Sequence, residues 1–205
     1  MVISNDEPRH AERREQLLLV AKRTFAERGF QAATMDDIAR EAGFTKPILY
    51  QYFESKTDLY REIVNTTATQ LLVNLERAVA NVESPRAKIE IAFRVYFDMV
   101  VSETDAFRIL FIHTHEGNSS RELRALEEGL ISLIQPQISV AISADHRVQL
   151  SASVVGIAEG TAIAWLEQQA RKGWPLPAPG AAERLAARSA TLAWGGLRTV
   201  HGDGG

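Results

Sequence analysis

The stretch with the richest chemistry is "TKPILYQYFESK", Thr45 to Lys56. It sets two lysines, two phenols and a carboxamide within one short segment. Lysine can donate to the acceptors of guanine, and glutamine can pair through two hydrogen bonds with adenine. Lys46 and Gln51 are the candidates for those contacts, and Ile48 offers an apolar surface for a thymine methyl. The phenols of Tyr50 and Tyr52 can donate to phosphate oxygens, a contact that positions a protein without reading sequence. Lys56 stands at the start of a following helix, and Thr34 at the start of an earlier one. An amide-rich helix start with a hydroxyl or ammonium beside it suits a phosphate. Any one of these residues reads equally well as decoration on a plain surface turn.

The elements that must position them are all helical. Leu18, Ala21, Phe25 and Ala26 recur at helical spacing and predict a first helix ended by a left-handed Gly29. Thr34, with Asp37 three residues on, has the spacing of a capping box; it opens a second helix with Met35, Ile38, Ala39 and Ala42 inward and Gly43 at its end. A third begins at Lys46, with Thr45 as its cap and Pro47 tolerated in the first turn, where amides lack helical partners. Leu49 and Phe53 face inward, while Lys46 and Tyr50 share one outward line and Pro47 and Gln51 the next. Two helices joined by a short glycine turn form a helix-turn-helix unit, whose second helix presents its N-terminal residues, here Thr45, Lys46, Pro47 and Ile48, to base edges.

Further helices are expected from Lys56 towards Val82, from Ser84–Pro85 to about Val100, and from Asp105 (as cap) to Phe111. Others run from about Ser120 to a stop or kink at Pro136, from about Arg147 to Ala170, and from about Ala181 to Leu197. No convincing strand or internal repeat is present. The expected architecture is all-α, with a helix-turn-helix head over residues 1–60 and a larger helical body over 61–205.

Composition narrows the function classes. With 45% apolar and 24% charged residues the chain has a globular balance, and with no cysteine it has neither disulfides nor thiolate chemistry. The net charge of −3 gives no general basic footprint, although residues 1–56 carry as many basic as acidic side chains. Arg9, Arg13 and Arg14 form either an arm that reaches DNA or a solvated helix end. The N-terminus lacks a secretory pattern and no run of eighteen apolar residues occurs, so the expected compartment is the cytoplasm, without a membrane partner. His113, His115 and Glu116 do not have the spacing that puts two histidines on one helix face, and no metal or cofactor is expected.

Taken as an ordered set, "AKRTFAERGFQAATMDDIAREAGFTKPILYQYFESKTDLY" resembles the TetR family of bacterial transcription regulators, over roughly Arg14 to Tyr60. The resemblance implies phosphate contacts from Thr34, Tyr50, Tyr52 and Lys56, and base readout by Thr45, Lys46, Pro47, Ile48 and Gln51. The family often has histidine where this chain has Tyr52, and "TKPILY" varies a more usual Ser-x-x-x-Leu-Tyr. The resemblance also implies that the body binds a small ligand, dimerises, and moves the fourth helix to change head spacing.

The chain supports a homodimer in its own terms. "SASVVGIAEGTAIAWL" and the last helix are rich in glycine and alanine, which lets helices approach closely; two from each chain can make a four-helix interface. Such a dimer suits a palindromic duplex operator. Phe93, Tyr96, Phe97, Phe107, Phe111 and Trp165 are the candidate lining of an apolar effector pocket, though aromatics at helical spacing also simply fill cores. Arg94 and Arg108 are available to an acidic ligand. The resulting expectation is a DNA-binding repressor released by a small, largely apolar effector, and not an enzyme. The rivals are a helical enzyme or carrier, which would need a convergent polar constellation, and a protein-binding adaptor.

Overall fold

The computed structural model describes residues 6–112, 120–138 and 140–202. The histidines of "IHTHEG" and the last three residues of the tail lie outside them. Among the described residues there are nine α-helices and no strand: α1 Asp6–Ala32, α2 Met35–Glu41, α3 Lys46–Tyr52, α4 Lys56–Val79, α5 Pro85–Ser102, α6 Thr104–Phe111, α7 Ser120–Ile134, α8 Ala144–Arg171 and α9 Ala181–Leu197. A single 3-10 turn, Gln135–Gln137, follows α7 where Pro136 forbids another α turn.

The chain divides into two compact units. The first is Met1–Thr67 with Asp105–Glu122, so it gathers α1, α2, α3, the first half of α4, and α6. Leu17, Ala21, Phe25, Ile38, Leu49, Leu59, Tyr60, Phe107 and Ile109 are wholly buried in their units. Each large apolar side chain so removed from water contributes about 1.5–3 kcal/mol before the entropy of ordering is counted. The Tyr60 hydroxyl donates to the Ile109 carbonyl over 3.4 Å, tying α4 to α6.

Two expectations for α1 need correction. Leu17, not Leu18, heads the buried stripe, and Leu18 lies half-exposed beside it. Gly29 does break the helix, but with φ 77° and ψ 165° it is not left-handed helical. That region is open essentially to glycine alone, and it sends the chain sideways into α2. Gly43 is the left-handed stop, at φ 76°. Around it the Phe44 amide reaches back to the Ala39 carbonyl over 2.8 Å, a Schellman-type closure that ends α2 and turns the chain towards α3.

The second unit is Ala68–Thr104 with Leu123–Gly205. Here α9 packs along α5, and α8 packs against both. The inward stripe of α9 is almost all alanine (Ala182, Ala186, Ala190, Ala193), so the two backbones approach closely. On α5, Phe93 and Phe97 stack at 6.2 Å and Tyr96 meets Phe97 edge-on at 5.2 Å. Ser84 caps α5 by accepting from the Ala87 amide. Asp105 does not cap α6; it sits inside the first turn and pairs with Arg108 at 3.1 Å.

The helix α8 qualifies the membrane expectation. By length and composition alone it could cross a bilayer. Its inward face, from Ser151 through Val155, Ala162 and Leu166, is packed against its own unit, as a core helix would be.

Candidate functional site

The first unit builds the candidate surface from its capping residues outward. Thr34 accepts from the Asp37 amide at 3.1 Å, and its hydroxyl donates to the Asp37 carboxylate at 2.6 Å. That hydrogen bond is the main cause holding the Asp37 carboxyl below its ordinary range, with Arg40 and Arg28 adding to it against a desolvation that acts the other way. Arg28 also grips Glu41 at 2.5 Å. Gln16 donates to the Ala42 carbonyl at 3.1 Å, so α1 fastens the far end of α2. Helix α2 is thereby pinned at both ends before α3 is placed against it.

Helix α3 is held by two anchors. Leu49 and Phe53 are buried, and the rest of the helix faces outward. Thr45 occupies the cap position with extended backbone angles, and its carbonyl accepts from the Ile48 and Leu49 amides. Its hydroxyl makes no capping hydrogen bond, so the side chain is not committed to the helix it starts. Thr45, Lys46, Pro47, Tyr50 and Gln51 are exposed, Tyr50 to 45%. Ile48 and Tyr52 are half-buried.

Three residues sit differently from the simple outward fan. Lys46 pairs with Asp36 at 3.2 Å across the turn, an exposed contact that a phosphate or base can displace at little cost. The ring of Tyr52 lies 4.4 Å from that of His10, so this phenol leans on α1 instead of lining up with Tyr50. Lys56 is the clearest change. Its ammonium donates to the carbonyls of Phe30 at 2.7 Å, Ala33 at 2.9 Å and Gln31 at 3.4 Å, and lies 4.4 Å above the Phe30 ring. An ammonium has three protons, and here each has a carbonyl to meet. In this structure Lys56 therefore fastens the α1–α2 turn, and it is not presented as an open phosphate ligand. Arg14 is likewise engaged, with Glu62 at 2.6 Å and over the Phe53 ring at 5.2 Å, which leaves Arg9 and Arg13 as the exposed arginines of that end.

In the second unit a cavity of about 250 Å³ opens between the end of α4, the start of α5, the end of α7, the start of α8 and the end of α9. A smaller one, of about 50 Å³, shares Ala92, Leu133, Ile134 and Val154 with it and reaches Phe93 and Tyr96. Of the aromatic residues expected to line a pocket, these two do so. Phe97 and Trp165 are core residues that line neither cavity, and Phe107 and Phe111 belong to the first unit, where they pack on each other at 5.8 Å. Arg94 is spent on Asp98 and Glu183, and Arg108 is buried beside Asp105. The lining that was missed is mostly aliphatic, with Trp194, and comes from the ends of five helices. Ends carry no period, so spacing gave no signal for it.

Near the inner cavity Glu159 is a second missed residue. Burial first and the Glu127 charge second raise its carboxyl to about 7. Its Oε1 atom is buried without a hydrogen-bond partner among the described residues. The Tyr96 phenol, itself fully enclosed, is pushed well above its usual range by burial first and Glu159 second. Among the described residues no cluster of three metal-ligating side chains occurs.

The family described as "Bacterial regulatory proteins, tetR family" matches residues 17–63, the span that contains α2, α3 and the Lys56 fastening. Over those residues the chain is similar to the TetR family of bacterial regulatory proteins. Over 193 residues it is 28% identical to the HTH-type transcriptional activator FasR of Mycolicibacterium smegmatis, covering 92% of this chain and 84% of that one. It is 32% identical over 90 residues to the HTH-type transcriptional repressor KstR2 of the same organism, covering 44% of each chain. In fold it matches the transcriptional regulator FadR of Bacillus subtilis, solved in complex with stearoyl-CoA. That match has a TM-score of 0.73 at 13% identity and covers 91% of this chain and 99% of that one. The relatives named are transcriptional regulators.

Proposed function

We propose that this regulator binds a palindromic duplex operator as a homodimer, with α3 in the major groove, and that a small, largely apolar effector in the second unit releases it. The observation that carries the reading is α3 itself. It is anchored by two buried side chains and turns Thr45, Lys46, Pro47, Tyr50 and Gln51 to solvent in one helix of groove-fitting length. In this reading Thr45, Lys46, Pro47, Ile48 and Gln51 face bases. Tyr50, Tyr52 and the capped start of α2 at Thr34 face phosphates. Lys56 acts through the turn it fastens.

The homodimer is supported by the outward face of α8. Ala152, Gly156, Gly160 and Ala164 are exposed at four-residue spacing, and a Cβ added at either glycine would meet nothing within 4 Å. A glycine inside a helix costs about 1 kcal/mol relative to alanine, and nothing among the described residues packs on either glycine to compensate for that cost. Close approach of a second copy would, and Leu192 of α9, 65% exposed, adds an apolar contact beside it. Two-fold symmetry would place the half-sites roughly 34–36 Å apart or a small multiple of that. Effector and operator affinities must then be coupled reciprocally. The expected compartment is the cytoplasm, where the operator is.

The test is selection of genomic fragments bound by the full chain, followed by binding of the selected site by variants. Lys46→Ala and Gln51→Ala should each shift the preferred bases, at about 1–3 kcal/mol per lost base contact. Unchanged site preference in both would refute the assignment of α3 to base readout. A second reading, activation, is favoured by the likeness to FasR. A reporter driven by the selected site separates the two, since loss of the regulator raises expression under repression and lowers it under activation.

A further inference from the structure

We infer that the effector of this regulator is an anionic amphiphile, whose apolar tail fills the cavity of the second unit and whose carboxylate or phosphate head sits at Lys88 and Arg198. This rests on the reading that the cavity is the effector site. Three observations point to this class. The walls are apolar, built from residues such as Ile89, Leu133, Leu150 and Trp194, so the bulk of any occupant must be apolar too. The charged side chains in the lining are both cations, Lys88 and Arg198, with the Gln137 amide between them in kind and no carboxylate. Their capacity is also unspent. Lys88 gives one hydrogen bond, to the Gln137 side chain at 2.6 Å, and Arg198 has no ion pair among the described residues.

The geometry gives the occupant a direction. Lys88 is half-exposed and Arg198 exposed, while Phe93, Tyr96 and Val155, which line the inner cavity, are buried. A head left near water at the cations and a tail run inward towards Tyr96 satisfies both ends. A tail turned the other way would put the head among Phe93 and Val155, where burial without a polar partner opposes an anion. At about 250 Å³ the main cavity lies just below the range of ligand pockets, roughly 300–1,000 Å³. A medium-length chain fits it better than a bulky ring system. The wall at Ile138 and Val140 is braced by Arg147, which donates to the carbonyls of Ile138, Val140 and Ile142.

The test uses the full chain and four probes that share one alkyl length: decanoate, decyl phosphate, decanol and decylamine, titrated calorimetrically at a fixed pH where the acid is ionised. The expected order puts one of the two anions about tenfold or more ahead of decanol, the size of effect that a charge-assisted hydrogen bond gives. Which anion leads distinguishes a free carboxylate from a phosphate-bearing head. Arg198→Gln, at an exposed position, should shrink that advantage, and Lys88→Gln with Arg198→Gln should remove it while decanol binding is kept. Leu150→Trp, which fills the cavity, should weaken all four probes. Decanol or decylamine binding as tightly as the better anion overturns the inference. So does an anion preference that survives the double substitution, or anion binding that survives Leu150→Trp. Operator binding is followed separately. Head-dependent binding of decanoate with unchanged operator affinity supports the ligand class and refutes the effector reading.

Discussion

The two units use glycine and charge in opposite ways. In the first, Gly29 and Gly43 sit where the backbone demands positive φ, and the charged side chains are tied into caps and turns. In the second, Gly173 and Gly180 also take positive φ, but Gly156, Gly160, Gly195 and Gly196 lie in helices with open space over them, and the cations of the cavity have no ion pair among the described residues. One unit has resolved its own polar and conformational demands. The other leaves demands that something from outside the chain must meet. The difference teaches where to look for partners: a rigid surface offers itself to a fixed, repeating ligand such as duplex DNA, and an unfinished one to molecules that complete it.

That contrast can be broken at three points. The largest effect belongs to Leu49→Ala. Leu49 is wholly buried and carries α3. Emptying it should cost about 2–5 kcal/mol of stability, read as a lower denaturation midpoint of the full chain and loss of operator binding. A midpoint unchanged within error would mean that α3 is not held from within.

Next comes Lys56→Met, which keeps the apolar stem over Phe30 and removes the donors. Its three carbonyl contacts suggest a loss of about 1–3 kcal/mol. Operator affinity should fall for all sequences alike, and the slope of log affinity against log salt should stay the same. A slope smaller by about one would show that Lys56 neutralises a phosphate after all.

The smallest is Glu159→Gln in the second unit. A carboxyl raised from 4.5 to about 7 favours its protonated form in the folded chain. Its stabilising contribution is complete below about pH 4.5 and is lost as pH rises through about 7. The amide removes that loss, so the variant should gain on the parent between pH 5 and pH 8, by about 1–2 kcal/mol once partial solvent screening is allowed for. Thermal melts at the two pH values check it; an equal difference at both would mean that Glu159 is not strained by its charge.

What the sequence disclosed follows the same division. The caps of α2, α4 and α5 are spelled locally, by Thr34 with Asp37, Ser55 with Asp58, and Ser84 before Pro85, and in the structure the three hydroxyls accept from the amides of Asp37, Asp58 and Ala87. The bounds of α9 were likewise legible from Gly180 onward. Where neighbours in the chain are chemically alike, period fails. Leu17, Leu18 and Leu19 are three leucines in a row, and only packing shows that Leu17 is the buried one and Leu19 is exposed. Lys56 reads as a surface cation because its partners are carbonyls some two dozen residues earlier, which no side-chain pattern announces. Aromatic spacing pointed to a pocket in α5 and α6, but α6 joins the first unit, and the cavity forms from helix ends.

The lysine clasp has a consequence for how such a chain can change over generations. Gln31 and Ala33 bind it through their carbonyls, which every amino acid supplies, while Phe30 adds the face of its ring. The exposed Gln31 side chain can therefore drift without severing the clasp. Position 56 must keep a long cationic arm, and position 29 must keep the one residue that steers the chain there. Those two sites carry most of the inheritance of that turn, and a letter such as that of Gln31, held by its backbone, is free to be rewritten.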